Sequence, residues 1–215
     1  MAITNFAELK AAISSWTARS DLTTAYLEEF IDLAETWLKR EPADPDASEV
    51  GGIRSNITRA TGNLSGATLA LPSDFLEMYR LTITESGSYT TLRYLSPNEL
   101  SIYHQSGTGL PQFFTISDVN EFDIEPDSTY AYELSYYPSV PALSDSQTTN
   151  WVITNYPDVY LAATMFHASR FLQDDKASTN WLQQYKASAY SASQTYLTGR
   201  SSQGSIAIKT DSSTP

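Results

Sequence analysis

At 215 residues with 41% hydrophobic side chains, the chain is long enough for one substantial core, or for a core with a smaller appended domain. Thirteen basic against 25 acidic residues leave a formal net charge of -12, which argues against a surface built to wrap nucleic acid phosphates by counterion release. Cysteine is absent, so disulfides, thiolate metal sites and a cysteine nucleophile are excluded, and the two histidines are the only imidazoles.

The first periodic segment carries Phe6, Leu9, Ile13 and Trp16, a 3-4-3 spacing that puts all four on one helical face, with Asn5 as N-cap. A second helix follows Ser20-Asp21. Its stripe is Leu27, Phe30, Ile31, Ala34, Trp37 and Leu38, and it ends near Lys39-Arg40 because Pro42 and Pro45 forbid continuation. Between residues 53 and 137 the helical period gives way to short β-rich runs punctuated by Gly, Pro, Asn and Asp. Strands are predicted at 68–71, 79–84, 89–94, 113–116, 121–125 and 130–137, with a hairpin turning through Gly87. Ser96-Pro97-Asn98-Glu99 predicts a capped short helix running to about His104. Helices return at Tyr156-Pro157-Asp158, through Tyr160, Leu161, Thr164, Met165, Ala168, Phe171 and Leu172, and bend at Gln173-Asp174-Asp175. The last periodic segment carries Ala177, Trp181, Leu182, Tyr185, Ala189, Ala192 and Tyr196 and is predicted to stop at Gly199.

Neither terminal helix pair can bury its stripe alone. The expected fold is therefore α+β: a four-helix bundle of two N-terminal and two C-terminal helices, with an inserted β-rich domain and an extended C-terminal tail. The expected boundaries are a hairpin and linker at 1–52, the β-rich domain at 53–148, the second hairpin at 149–198 and the tail at 199–215. That tail is rich in Ser, Gly and Thr, and its alternating Ser205-Ile206-Ala207-Ile208-Lys209 offers one short strand to a partner's sheet edge.

Motifs that would carry chemistry are weak. His104 and His167 lack a second histidine, a His-Glu-x-x-His helix or a thiolate nearby, so a helix-face or junction hydrogen bond is their commoner role. Asp174-Asp175, and Asp44 with Asp46, lack the ligand order and glycine of a calcium loop, and read as turns that cap or separate helices. Gly107-Thr108-Gly109 and Gly51-Gly52 fit no phosphate-binding fingerprint, and Gly-x-Ser-x-Gly is absent. Asn56-Ile57-Thr58 and Asn63-Leu64-Ser65 match the glycosylation pattern by chance, because residues 1–10 lack the order of a secretory signal. No apolar run approaches the roughly 18 residues of a membrane span, so the chain is expected to be soluble and to have no membrane partner. Tyr130, Tyr132 and Tyr136 alternate onto one strand face and Tyr137 onto the other; a sugar platform is one reading and core or interface packing the commoner one.

Leu71-Pro72-Ser73-Asp74-Phe75-Leu76-Glu77 opens the β region, and Tyr136-Tyr137-Pro138-Ser139-Val140-Pro141-Ala142-Leu143-Ser144 closes it. Thr149-Asn150-Trp151, Tyr156-Pro157-Asp158-Val159-Tyr160-Leu161 and Gln173-Asp174-Asp175-Lys176-Ala177 follow, before Trp181 and Tyr185. In this order they resemble the head-to-tail adaptor family of tailed bacteriophages, over nearly the whole chain. The resemblance implies a structural protein of the virion's head-tail junction rather than an enzyme. It further implies a ring, expected twelvefold, beneath the portal protein, bound to tail or nozzle proteins and giving DNA a conduit without specific binding. No cofactor and no metal are expected. The portal-docking residues it implies are Ser201, Ser205, Ile206, Ala207, Ile208 and Lys209 in the tail. The alternatives are a tail-associated carbohydrate-binding module and an unrecognised hydrolase.

Overall fold

A computed structural model describes residues 2–19, 21–40, 50–103 and 107–201, with side chains of the last helix as far as Gln194. In chain order the elements are α1 (Phe6–Thr17), α2 (Thr24–Leu38), β1 (Thr58–Asn63), β2 (Gly66–Ala70), β3 (Phe75–Glu85), β4 (Ser88–Thr91), β5 (Arg93–Tyr94) and α3 (Pro97–Ile102). They continue with β6 (Phe113–Asp118), β7 (Glu121–Ser128), β8 (Ala131–Pro138), α4 (Trp151–Asn155), α5 (Pro157–Phe171) and α6 (Asp175–Ser201). Two compact units result: Met1–Ser55 with Val152–Pro215, and Asn56–Trp151.

The helical unit is organised around α5, which packs against α1, α2 and α6. Small residues let neighbours approach it from several sides: Ala162, Ala163 and Ala168 are fully buried beside Val159, Tyr160 and Met165. Pro157 supplies the fixed torsion of a helix start, and Asp158 stands in the first turn, where the exposed N–H groups favour negative charge. At the other end the N–H of Gln173 bonds to the Arg170 carbonyl and that of Asp174 to the Ser169 carbonyl, closing the helix with Gln173 in the left-handed region (φ 59°). Asp174 then caps α6, accepting the Ala177 N–H at 2.9 Å. One sharp corner is thus made by the residues that end one helix and begin the next.

In α1, Asn5 accepts the Glu8 N–H at 3.0 Å, and Glu8 accepts two hydrogen bonds from Thr4 at 2.7 Å. These bonds hold the Glu8 carboxyl below its ordinary range. Phe6, Leu9, Ala12 and Ile13 are buried, but Trp16 is 59% exposed, so the expected stripe loses its last member to the surface. On α2 the stripe is buried as expected and includes Glu35, whose carboxylate accepts a 2.9 Å hydrogen bond from the Tyr160 hydroxyl. Helix α6 does not stop at Gly199 but continues to Ser201.

The other unit is a β-sandwich. One antiparallel sheet has the order β1-β8-β3-β4 and the other β2-β7-β6-β5, in which β5 and β6 run parallel. Leu81 and Ile83 of β3 and Leu134 and Tyr136 of β8 meet Leu69 of β2, Phe114 of β6, and Phe122 and Ile124 of β7 in one buried cluster. The hairpin expected at Gly87 forms with a two-residue turn: Glu85 pairs with Ser88, and Ser86 (φ 47°) and Gly87 (φ 84°) both take positive φ. The short helix α3 has the full capping box, with Ser96 and Glu99 bonded to each other's backbone N–H.

The expectation of a four-helix bundle carrying an inserted β-rich domain and an extended tail is corrected by these elements. The chain is α+β, with six helices and two four-stranded sheets among the described residues, and strands outnumber helices. Two local effects place strands where the sequence reading had none or had merged two. Residues 89–94 are not one strand: Leu92 bonds to the Leu81 carbonyl in the first sheet and Arg93 to the Gln112 carbonyl in the second, so the chain changes sheets at Leu92. The edge strand β1 was not expected because its sequence Thr-Arg-Ala-Thr-Gly-Asn is polar and only Ala60 packs on the core; it is held by backbone pairing to β8. These additions complete both sheets. The tail beyond Ser201 lies outside the described residues.

Candidate interaction surfaces

On the helical unit, Tyr26, Phe30 and Leu33 follow one another at i, i+4 and i+7 along α2. Phe30 is buried, whereas Tyr26 and Leu33 are exposed. Phe171 at the end of α5 extends this apolar surface, its ring 4.8 Å from Tyr26 and 5.4 Å from Phe30. A second apolar region centres on Trp16, whose ring lies 5.4 Å from that of Trp181 on α6. Beside it a groove of about 610 Å³ is lined by Ile3, Ala12, Trp16, Pro157, Asp158 and Leu161.

The sandwich has its own exposed apolar groups. Ile102 at the end of α3 is 80% exposed and Val119 at the β6-β7 turn is 86% exposed, with Tyr103 stacked 5.3 Å from Phe113. Sequence reasoning did not single out Tyr26, Leu33, Ile102 or Val119. For Tyr26 and Leu33 the signal was available, because they widen the α2 stripe beyond an arc that one neighbouring helix covers.

The residues weighed for chemistry take other roles. His167 sits against the Trp37 ring at 4.5 Å and the Phe166 ring at 5.1 Å, and its Nε2 is buried with no hydrogen-bond partner among the described residues. Burial first, and the Arg40 charge second, push its pKa down to about 4. The unfolded chain takes up this proton near pH 6.5 and the folded chain only near 4, so the stabilisation is complete above pH 6.5 and is lost as pH falls towards 4. Across that window the wild-type melting temperature should drop by several degrees more than that of His167→Phe; equal slopes would mean a solvated imidazole.

Tyr136 is buried, with its hydroxyl 2.8 Å from Asp74, and burial with that bond raises its pKa to about 12. Tyr130 and Tyr132 pack against the same core, Tyr130 bonding to Glu85 at 2.9 Å, and Tyr137 meets Tyr79 edge to face. The four tyrosines are therefore built into packing contacts, and no single open platform unites them. Asp174-Asp175 forms the helix cap described above, with Asp175 paired to Arg170 at 3.3 Å. His104, Asp44 and Asp46 lie outside the described residues, as do Ser205, Ile206, Ala207, Ile208 and Lys209, while Ser201 is the last residue of α6. Among the described residues no group of three or more His, Cys, Asp or Glu is arranged to hold a metal ion, and no helix is long and apolar enough to cross a membrane.

Exposed aromatic side chains lie on both units, and Asp174, Asp175 and the four tyrosines weighed for chemistry are taken up by caps, an ion pair and packing. The chain belongs to the SU10 adaptor protein family, whose pattern it matches over residues 4–207; it is a bacteriophage adaptor protein, a structural component of the virion. No curated protein matches it.

Proposed function

We propose that copies of this chain close into a ring, twelvefold by resemblance to head-to-tail adaptors, that joins the portal protein to tail or nozzle proteins at the head-tail junction. The observation that carries this reading is the apolar surface of Tyr26, Leu33 and Phe171 on the helical unit, together with the separate Trp16 region and its groove. Two different patches on one subunit suit a head-to-tail contact, which closes into a ring when the rotation permits. Each contact can be modest, because closure multiplies it. A net charge of -12 suits a channel that DNA traverses without sticking.

Residues Ser201, Ser205, Ile206, Ala207, Ile208 and Lys209 are assigned to portal docking. Removing residues 202–215 leaves α6 whole and is expected to weaken binding to purified portal at least tenfold, with thermal stability unchanged. Negative-stain imaging of the full chain with portal should show rings. A chain that remains monomeric with portal would overturn the ring, and unchanged affinity after the truncation would overturn the role of the tail.

A further inference from the structure

The two sheets of the sandwich treat their edges differently. In the second sheet β5 is two residues long, and β2 loses its register against β7 between Gly66 and Thr68. Short strands and broken register are among the devices that keep an edge from pairing with another chain. The first sheet has neither at its edges. There β1 keeps unbroken register with β8 over six residues and β4 with β3 over four, and neither edge strand contains lysine or proline. Arg59 is the one charged residue in the two strands.

The hydrogen-bond phase of each edge follows from its inner neighbour. The Leu64 N–H donates to the Tyr130 carbonyl, in register with the β1-β8 pairs, so Thr58, Ala60 and Gly62 turn their backbone groups to β8. Arg59, Thr61 and Asn63 therefore turn theirs outward. On the opposite edge the Leu92 N–H donates to the Leu81 carbonyl, so Ser88 and Thr90 face β3 while Tyr89 and Thr91 face outward. Among the described residues these outward N–H and C=O groups have no backbone partner. The order β1-β8-β3-β4 is antiparallel throughout, so β4 runs opposite to β1. A second copy set beside the first in the same orientation thus brings its β1 antiparallel to β4 and continues the alternation.

We propose that β4 of one subunit pairs with β1 of the next, joining the first sheets of neighbouring copies. Within one sheet the cross-strand rows are Thr61-Glu133-Thr82-Thr91 and Asn63-Ala131-Thr84-Tyr89. Continued into the next copy, they set Thr91 opposite its Thr61 and Tyr89 opposite its Asn63, and each pair exchanges backbone N–H and C=O bonds. These side chains are exposed in the single chain, Tyr89 to 74%, and gain cross-strand neighbours. A twofold pairing of β1 with β1, or of β4 with β4, leaves the other edge open in each copy. The head-to-tail pairing uses both edges, and a closed ring leaves none. This pairing rests on the ring reading and names the contact between its sandwich units.

The chain has no cysteine of its own, so an introduced pair reports a single contact. Thr61→Cys with Thr91→Cys puts the two thiols on opposite edges of one sheet, about 14 Å apart and too far to join within a subunit. Across the proposed pairing their Cα atoms stand about 5.5 Å apart, within disulfide range. Oxidation of the double variant assembled on purified portal should give a ladder of oligomers beyond the dimer on a non-reducing gel, reversed by reductant. Each single variant should run as a monomer. Thr91→Pro removes only an outward N–H, so it should leave the melting temperature of the free chain unchanged and cut the yield of rings on portal at least threefold. Rings by negative stain without the ladder, or an unchanged yield with Thr91→Pro, would overturn the strand pairing and leave the ring standing. A dimer from either single variant would also overturn it, in favour of a twofold contact. Absence of rings from the wild-type chain would overturn both.

Discussion

Gly52→Ala is expected to destabilise the helical unit by about 3–5 kcal/mol, the sum of an overpacking cost and the hydrogen bonds it disrupts. A Cβ on Gly52 would stand 2.4 Å from the Leu38 carbonyl oxygen, 2.5 Å from that of Arg40 and 2.9 Å from the Leu38 carbonyl carbon. All three are backbone atoms at the C-terminal end of α2, so no side-chain rotation relieves the clash. The segment must lift away, and two contacts suffer. The Ile53 N–H donates to the Leu38 carbonyl at 3.3 Å, satisfying one of the acceptors left open at the helix end. The Gly51 carbonyl accepts the Tyr185 hydroxyl at 2.7 Å, and Tyr185 is a fully buried residue of α6 beside the Trp37 ring. This close passage therefore ties the end of α2 to the middle of α6. Denaturant unfolding monitored by far-ultraviolet circular dichroism measures the effect, with Tyr185→Phe, which removes only the last bond, expected to cost about 1 kcal/mol. A Gly52→Ala protein within about 0.5 kcal/mol of wild type would show that the segment moves aside freely.

Phe122→Ala should cost the sandwich a similar amount, about 3–5 kcal/mol. Phe122 is 1% exposed and stands where the sheets face each other, its ring 5.2 Å from Phe114 on the neighbouring strand and 5.6 Å, edge on, from Phe75 of the opposite sheet. Truncation leaves a cavity bordered by two other rings, and these cannot collapse into it without losing their own contacts. Phe122→Leu retains most of the volume and should cost less than half as much. Hydrogen exchange at the β6 and β7 amides, read beside the denaturation midpoint, distinguishes loss of this core from damage elsewhere. Unchanged exchange at those amides in Phe122→Ala would contradict the placement of the ring between the sheets.

Much of the helical unit was legible in the sequence because its signals are local. Asn5, Pro157 and the Asp174 corner act within one turn of chain, and stripes such as Leu27, Phe30, Ile31, Ala34 and Leu38 state which face of a helix is buried. The family was legible too, since ordered pieces spread over the whole chain carry it. The candidate surfaces were less so. An exposed Val119 or Ile102 looks in sequence like any other apolar residue, and only the packed structure reveals that both stay exposed among the described residues.

Local chemistry thus determined where α1, α3 and α5 begin, which face of α2 is buried, and that the segment Tyr130 to Tyr137 is a strand. Tertiary structure alone decided that Leu92 is the crossing point between two sheets and that a polar edge strand completes one of them. The reason is physical: backbone pairing between strands is indifferent to most side chains and joins residues far apart in the chain. A pattern read along one segment therefore carries no record of it.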